Sequence, residues 1–245
     1  MPIAISKRME AIVSHVPQVA SLGDIGTDHA FIPIYAVQTG LASRAIASDL
    51  REGPLGKARE NVTAHQLGEK VELRLGDGFM TLQPGEAQVI VTAGIGGHIQ
   101  AGMVTSAMEV AKQARRIIFQ PMNAGHLLRC KLDELGFHIE AEQLVEDDGR
   151  LYEIIAVTYT GQRDEAYAAY RHGADALTLA YTFGPQLLRN PDELLLQRLQ
   201  REIDKLIYVR KQVLTGATPE AKAKADEVEQ QISRLTAWKE GRGSR

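Results

Sequence analysis

The segment from Gly23 to Pro33 constrains the fold of this chain more than any other part of its sequence. It follows a short apolar run, Val19 to Leu22, and precedes an amphipathic helical stretch, so it predicts a turn from a strand into a helix. At such a corner the Asp24-x-Gly26 pattern lets backbone amides approach a ligand closely, while carboxylates meet its cationic or hydroxyl groups. The segment therefore predicts an α/β fold with a ligand site at this turn.

A second acidic residue ends the next predicted strand. Asp49 follows the run from Arg44 to Ser48, about 25 residues after the first corner. This is the usual position of a carboxylate that accepts hydrogen bonds from ribose hydroxyls in a nucleotide-binding α/β fold. The dinucleotide pattern Gly-x-Gly-x-x-Gly is absent, which indicates a ligand without a pyrophosphate and favours S-adenosylmethionine over NAD.

Residues 1 to 160 alternate strand-like and helical runs, as is typical of a parallel sheet with helices on both faces. Two final apolar runs, Phe137 to Val145 and Leu151 to Tyr159, meet across Asp148-Gly149 and predict a hairpin. Five alternating strands and a terminal hairpin predict the Rossmann-like, seven-stranded sheet of class I methyltransferases. That sheet is mostly parallel, with an antiparallel strand from the terminal hairpin.

After residue 160 the pattern becomes helical. Two narrow apolar stripes with charged opposite faces flank a turn from Thr215 to Pro219 and predict a coiled-coil hairpin. The first stripe consists of Leu195, Leu199, Ile203, Leu206 and Val213, and the second of Val228, Ile232 and Leu235. We therefore expect an S-adenosylmethionine-binding methyltransferase domain over residues 1–160 and a helical appendage over residues 161–245.

The composition of the chain bears on the cellular compartment of the protein more than on its function. The net charge of −3, from 28 basic and 31 acidic side chains, is weak evidence for or against a polyanionic partner. The single Cys130 excludes an intramolecular disulfide and a multi-cysteine metal site. No apolar run approaches the ~20 residues needed to span a bilayer, and no secretion signal is evident. We expect a cytoplasmic protein with no metal and no membrane association.

Glycine-containing corners close several predicted strands, at the edge where open α/β sheets bind ligands. Asp77 could accept from an adenine amino group while Gly78 leaves room for the ring, and Gly94 permits close backbone approach beside a transferred methyl. The alternatives are a helix cap for Asp49 and a glycine-rich helix start without a ligand. The expected cofactor contacts are Asp24, Gly26, Thr27, Asp28, Asp49, Leu50, Gly76, Asp77, Gly78, Ala93, Gly94 and Gly96.

Other polar residues have two interpretations each. His29 could contact a substrate or pack against Tyr35 and Pro33, and Asp28 could face either the cofactor or an acceptor. Basic residues cluster near the start of the chain and in the appendage. They predict either a polyanion-binding surface or ordinary solvated helix faces, and the residues alone favour the second interpretation. They include Lys7, Arg8, Arg51, Arg198 and Arg201.

Several motifs taken together resemble the bacterial tRNA (adenine-22 N1)-methyltransferase family, over most of the chain. The string from Thr27 to Pro33 is the most specific of them, whereas Asp-x-Gly alone is common to many methyltransferases. The others are Ser6-Lys7-Arg8, Gly76-Asp77-Gly78, Ala93 to Gly97, Gln120-Pro121-Met122-Asn123, Leu144 to Ile155 and Phe183-Gly184-Pro185. This chain departs from the family at Phe31, where Tyr is usual, at Ile95, where Met is common, and at Met122, which separates Pro121 from Asn123.

The resemblance implies transfer of a methyl group from S-adenosylmethionine to N1 of an adenine in tRNA. Asp28 would accept from the exocyclic amine, with His29 as the alternative, and Gln120 and Pro121 would flank the acceptor base. Lys7, Arg8 and the other basic residues would contact phosphates, and the tail could clamp the RNA. We expect a monomer or a weak dimer. A methyltransferase of small molecules or proteins, and a non-catalytic nucleotide-binding scaffold, remain alternatives.

Overall fold

A computed structural model describes residues 2–216 and 218–242 of the chain. The strands are β1 (Val19–Ile25), β2 (Ala42–Asp49), β3 (Val71–Leu75), β4 (Val89–Ile95), β5 (Arg116–Pro121), β6 (Phe137–Asp147) and β7 (Arg150–Tyr159). The helices are α1 (Lys7–Ser14), α2 (Phe31–Gln38), α3 (Glu52–Ala64), α4 (Gly97–Ser106), α5 (Met108–Ala111), α6 (Gly125–Leu135), α7 (Ala174–Phe183), α8 (Pro185–Arg189), α9 (Glu193–Val213) and α10 (Pro219–Arg242). Short 3₁₀ helices cover Gly78–Thr81 and Glu165–Tyr170.

The strands form one seven-stranded sheet in the order β3-β2-β1-β4-β5-β7-β6. Strands β1 to β5 pair in parallel, and β7 is antiparallel to both β5 and β6. The hairpin between β6 and β7 turns at Asp148 and Gly149, whose φ angles of 53° and 71° are those of a type I′ turn. These observations confirm the predicted sheet and its terminal hairpin.

Both faces of the inner strands β2, β1, β4, β5 and β7 are largely buried, which explains their nearly continuous apolar sequences. Helices α1, α2 and α3 share one core cluster with alternate strand residues, among them Val89 and Val91 of β4. The intervening Ile90 is also fully buried, and α4 packs on β4 and β5. The sheet is therefore a rigid support for whatever its strand ends carry.

The strand order reverses between β1 and β4, because β2 and β3 continue on one side of β1 while β4 and β5 lie on the other. At such a switch point the loops leaving the two central strands diverge and open a crevice at their carboxyl ends. The predicted acidic and glycine-containing corners all lie at this edge.

The chain divides into two compact units, Met1–Leu187 and Leu188–Arg245. This boundary differs from the division predicted at residue 160. Asp133 of α6 is the physical reason: its fully buried carboxylate accepts hydrogen bonds from Arg171 at 2.8 Å and Tyr181 at 2.7 Å. Segment 161–187 is thereby tied to the unit that contains the sheet.

The second unit contains the helical hairpin that the sequence predicts. Leu195, Leu199 and Ile203 of α9 are buried, as are Val228 and Leu235 of α10. Ion pairing between Arg210 and Glu229, at 2.8 Å, also joins the two helices. Ala217 in the connecting turn, and residues 243–245 of the predicted appendage, lie outside the described residues. No helix in the described part of the chain is long and apolar enough to cross a membrane.

A buried ionic cluster fixes α6 to the hairpin of the sheet. The Arg129 guanidinium is fully buried, with Nε 2.7 Å from Glu142 Oε1 and Nη2 2.8 Å from Glu153 Oε2. Burial raises the pKa of Glu142, against the lowering effect of Arg129. The Glu153 carboxylate also lies so close to Gly125 that a Cβ there would overlap it. The cluster therefore positions the first turn of α6, directly after the Gln120–Asn123 corner.

Arg129→Leu should strongly destabilise the protein, because it leaves two buried carboxylates without their shared cation. Breaking a buried ion pair from one side lowers the free energy of unfolding by about 3–5 kcal/mol. Denaturant unfolding measures this change. Arg115→Leu, at an exposed arginine before β5, is the matched control and should change stability by about 0.5 kcal/mol at most. Equal losses in the two variants would contradict a structural role for the cluster.

Candidate active site

A cleft of about 650 Å³ opens at the carboxyl edge of the sheet. Four strand ends contribute to it, those of β1, β2, β3 and β4. Of the residues predicted to contact a cofactor, all but one line it: Asp24, Gly26, Thr27, Asp28, Asp49, Leu50, Gly76, Asp77, Gly78, Ala93 and Gly94. The exception is Gly96, the N-cap of α4, which packs against Asn123 instead.

The corner after β1 is locked to the end of β2. The backbone amides of Gly26 and Thr27 both donate to the Ser48 carbonyl, at 2.8 and 2.9 Å. Gly26 has a φ of +82°, and a Cβ there would overlap the Ile95 side chain. Only glycine satisfies both constraints, so this position depends on the residue that the sequence singles out.

The rest of this corner is held in a strained shape. Ala30, whose side chain is fully buried, adopts a left-handed φ of 56°. Such a conformation costs about 1 kcal/mol or more for a residue with a Cβ. Its amide donates to Thr27 Oγ1 at 3.1 Å, and Asn61 Nδ2 donates to the His29 carbonyl at 2.9 Å. These bonds present Asp28 and His29 at the mouth of the cleft.

Asp24 is a buried carboxylate that faces the cleft, with 5 % of its surface exposed. Burial raises its pKa from 3.8 to about 6, and a hydrogen bond from Thr27 offsets part of that rise. No cationic side chain in the described ranges forms an ion pair with it. A desolvated acid at a cleft wall is a characteristic feature of functional sites and favours a cationic ligand group.

Asp49 points into the cleft from the end of β2. Its Oδ1 accepts from the Arg51 amide at 2.8 Å, and the Arg51 Nε lies 3.6 Å from the same oxygen. The N-cap of α3 is Arg51, so Asp49 does not serve as the helix cap that was the alternative interpretation. Its Oδ2 has no protein hydrogen bond within the described part of the chain and can accept from hydroxyl groups.

The corner after β3 combines an exposed carboxylate with apolar lining residues of the cleft. Asp77 is exposed, and Gly78 has a φ of +51° with Met103 so close that a Cβ would lie 2.9 Å from its Cγ. Leu50, 64 % exposed, lies at the same end of the cleft. Apolar surface with one hydrogen-bond acceptor suits a nucleobase that carries an amino group.

Asp28 and His29 form an exposed polar group. Lys57 Nζ lies 3.8 Å from Asp28 Oδ1, and His29 Nε2 lies 3.2 Å from Asp28 Oδ2. The His29 ring stacks on Phe31, with centroids 5.1 Å apart and planes 6° apart. Asp28 keeps 60 % of its side chain exposed, so it is accessible to a second ligand.

Gln120 and Pro121 are buried and do not line the cleft. Gln120 Oε1 accepts from the Gly94 amide at 3.2 Å and from Arg8 Nη1 at 2.8 Å. The amide side chain is therefore used within the protein, and Gln120 shapes the corner after β4 through Gly94. This placement differs from the direct contact with an acceptor base that the resemblance implies.

The basic residues predicted to contact RNA occupy three places. Lys7 is exposed, while Arg8 is half-buried in the wall of the cleft. Arg51 also lines the cleft, with 77 % of its side chain exposed. Arg198 and Arg201 belong to α9 of the second unit, and each has partners within the protein.

One wall of the cleft is apolar and is not predicted by the sequence. It consists of Met9 and Ile12 of α1, Ile99 and Met103 of α4, and Met122. Helix α1 is amphipathic in sequence, but the sequence does not indicate that its apolar face lines the cleft. Among the described residues, no group of three or more His, Cys, Asp or Glu is arranged to hold a metal ion.

Because the pKa of Asp24 is raised in the folded protein, the free energy of unfolding should depend on pH. The folded protein binds more protons than the unfolded chain between pH 3.8 and about 6, so stability falls as the pH rises through that range. Above pH 6, the ionised Asp24 destabilises the fold by about 3 kcal/mol. Without ligand, Asp24→Asn should therefore unfold at higher denaturant concentration than wild type at pH 8, with a smaller difference at pH 4.5. The same difference at both pH values would contradict this account.

The geometry agrees with comparisons to known proteins. The family model of tRNA (adenine(22)-N(1))-methyltransferase, TrmK, matches residues 22–237. The tRNA (adenine(22)-N(1))-methyltransferase of Bacillus subtilis strain 168 is 31% identical over 219 residues, which cover 89% of each protein. The crystal structure of the B. subtilis M1A22 tRNA methyltransferase TrmK matches with a TM-score of 0.85 and 28% identity, covering 96% of this chain and 98% of that one. Streptococcus pneumoniae Sp1610 in complex with S-adenosyl-L-methionine matches with a TM-score of 0.79 and 33% identity, covering 95% and 99%. This chain belongs to the tRNA (adenine(22)-N(1))-methyltransferase family.

Proposed function

We propose that this protein transfers the methyl group of S-adenosyl-L-methionine to N1 of adenine 22 in tRNA. The observation that carries the proposal is the convergence of Asp24, Asp49 and Asp77 on one cleft at the switch point of the sheet. Each carboxylate lies at or next to the carboxyl end of a different strand, so the three are spaced for a ligand with three separate polar groups. We infer the methyl acceptor, adenine 22 of tRNA, from the family to which the chain belongs.

The three carboxylates suggest the direction in which the cofactor would lie in the cleft. Asp77 accepts from the adenine amino group between Leu50 and Gly78, and Asp49 accepts from the ribose hydroxyls. Asp24 then pairs with the ammonium group of the methionine part. Gly26, Thr27, Gly76, Ala93 and Gly94 contribute close backbone contacts along the way. The complex of the S. pneumoniae relative with S-adenosyl-L-methionine supports the identity of the cofactor.

Methyl transfer to N1 needs positioning more than proton removal. The N1 lone pair attacks the methyl carbon as the bond to the sulfonium sulfur breaks, giving a cationic 1-methyladenine and a neutral thioether. Holding the two groups in line can contribute several kcal/mol to the lowering of the barrier. Because N1 lies on the pairing edge, the base must first leave its stack, which costs a few kcal/mol.

Asp28 is the group that we assign to the acceptor base. Its exposed carboxylate accepts from the exocyclic amine, which enriches N1 and stabilises the cationic product. Guanine presents a carbonyl oxygen at the same position, so the carboxylate also disfavours the wrong purine. His29, stacked on Phe31 at the cleft mouth, is the alternative contact.

Phosphate contacts from Lys7 and Arg51, and from Arg198 and Arg201 on the helical hairpin, would position the tRNA without reading its sequence. We further propose that the protein works in the cytoplasm as a monomer or a weak dimer. The single cysteine supports a setting that needs no disulfide.

The direct test is transfer of labelled methyl groups to unmodified tRNA, followed by digestion and identification of the nucleosides. We expect labelled 1-methyladenosine, and no label when adenine 22 is replaced by guanine. Asp49→Ala should raise the KM for the cofactor about 10-fold or more, since it removes charge-assisted hydrogen bonds. Glu69→Ala, at an exposed acid on the opposite edge of the sheet, is the matched control. Label in tRNA at another nucleoside would contradict the proposed position.

Asp28→Asn should separate acceptor recognition from cofactor binding. The amide keeps the shape but presents a weaker acceptor, so kcat should fall about 10- to 100-fold. The affinity for S-adenosylhomocysteine, measured by calorimetry without RNA, should stay unchanged. Glu69→Gln again serves as the control. A loss of cofactor affinity equal to the loss of kcat would place Asp28 at the cofactor instead.

A further inference from the structure

The corner after β5 contributes the side chain of Met122 to the cleft. The two preceding residues, Gln120 and Pro121, are buried, whereas Met122 keeps 46 % of its surface exposed. A large apolar side chain left half in solvent beside a cleft is typical of a surface that a ligand covers. The polar groups that we assign to the cofactor follow β1, β2 and β3 and not β5, so Met122 needs a different explanation.

Two contacts hold Met122 in place. Its amide donates to the Ile95 carbonyl at 2.9 Å, which ties the corner after β5 to the end of β4. Its Sδ lies 3.8 Å from Nε2 of Gln120, a side chain that is itself fully buried. The thioether is thus positioned within the protein while part of its surface faces the cleft. A thioether packs favourably against flat aromatic rings.

Helix α4 carries a second exposed apolar side chain on the same wall. Ile99 lines the cleft and is 57 % exposed. The amide of Gly97, two residues earlier, donates to the Asn123 carbonyl at 2.9 Å, so the start of α4 is bonded to the residue that follows Met122. Ile99 and Met122 therefore belong to one part of the wall, next to the corners after β4 and β5.

Further along α4, the same wall meets the base of the cofactor. Met103 lies one helical turn after Ile99, and a Cβ on Gly78 would lie 2.9 Å from its Cγ. Gly78 marks the corner where we place the adenine of the cofactor. In the sheet, β5 lies on the far side of β4 from β3. The apolar wall therefore continues past the cofactor toward β5, where Ile99 and Met122 are left uncovered.

We propose that Met122 and Ile99 form the apolar surface on which the acceptor adenine lies while its N1 is methylated. Enzymes that take a base out of its stack receive it between apolar or aromatic side chains. Asp28 offers a hydrogen-bond acceptor to the edge of the base, and the two apolar side chains contact its face. This inference rests on the proposed function and moves the contact with the acceptor base from Gln120 and Pro121 to Met122.

The chemistry of the wall favours a base over the other parts of an RNA. Met122 and Ile99 are uncharged and have no hydrogen-bond donor, so they offer nothing to a phosphate or a ribose hydroxyl. The face of a neutral purine gains from leaving water against such a surface. Removing Met122 should therefore weaken the use of tRNA and leave the binding of the cofactor unchanged.

The first measurement separates the two ligands. Met122→Ala should lower kcat/KM for tRNA about 10-fold and change the affinity for S-adenosylhomocysteine, measured by calorimetry without RNA, less than about 2-fold. Ile99→Ala should act in the same direction. Met122→Leu keeps the apolar volume and should remain within about 3-fold of wild type. Met80→Ala, the same change at a methionine that is 66 % exposed and is not part of the cleft lining, is the matched control.

The second measurement reports on the base itself. It uses tRNA with 2-aminopurine in place of adenine 22, because the fluorescence of this base rises when it leaves its stack. Wild type with S-adenosylhomocysteine should raise the fluorescence on binding. Met122→Ala should give a smaller rise at saturating protein, and Met80→Ala the same rise as wild type.

Each other outcome overturns the assignment. An equal loss of S-adenosylhomocysteine affinity in Met122→Ala would mean that this part of the wall contacts the cofactor. Unchanged kinetics and fluorescence would mean that the base does not lie on Met122, and failure of Met122→Leu to keep activity would mean that apolar surface is not what matters. If wild type bound S-adenosylhomocysteine but methylated no adenine in tRNA, the proposed function itself would fail, whatever the variants do. Thermal unfolding of each variant shows whether it is folded.

Discussion

The Ser48 carbonyl accepts the amides of both Gly26 and Thr27, and the geometry of the cleft depends on these two hydrogen bonds. They fix the corner after β1 against the end of β2, on one side of the switch point. On the other side, the Ile95 side chain fills the space that a Cβ on Gly26 would need. The ends of β1, β2 and β4 therefore meet at distances set by these contacts, and Asp24 and Asp49, which lie at the ends of β1 and β2, are positioned by them.

The same edge carries most of the strain that we identify. Asp24 is a buried acid whose pKa is raised by desolvation, and Ala30 holds a left-handed backbone conformation. Both features destabilise the ligand-free protein. The buried apolar strands stabilise it elsewhere, so the cleft can keep groups that favour a cationic, extended ligand. A ligand that binds only the folded state then adds to its stability.

Much of this arrangement could be predicted because it follows from local patterns. Alternating strand-like and helical runs predict the sheet, Asp148-Gly149 predicts the hairpin turn, and the residues after each strand predict the acids of the cleft. The side chains that act across the fold could not be predicted in this way. Arg8 reaches Gln120 of β5 only because α1 packs against β6 and β7, the strands beside β5, and this tertiary contact has no local signal. For the same reason the boundary between the two units lies after Leu187 and not near residue 160, since Asp133 binds Arg171 and Tyr181 across 38 and 48 residues of sequence.

A crystal structure of this protein with S-adenosylhomocysteine would show whether the strand ends hold the cofactor as we propose. We expect one ligand in the cleft, with its ribose hydroxyls within hydrogen-bond distance of Asp49, its adenine beside Gly78 and its amino acid group between Asp24 and Gly94. The space beside Asp28 should remain open for the acceptor base. A ligand bound in the reverse direction, or outside this cleft, would contradict the account.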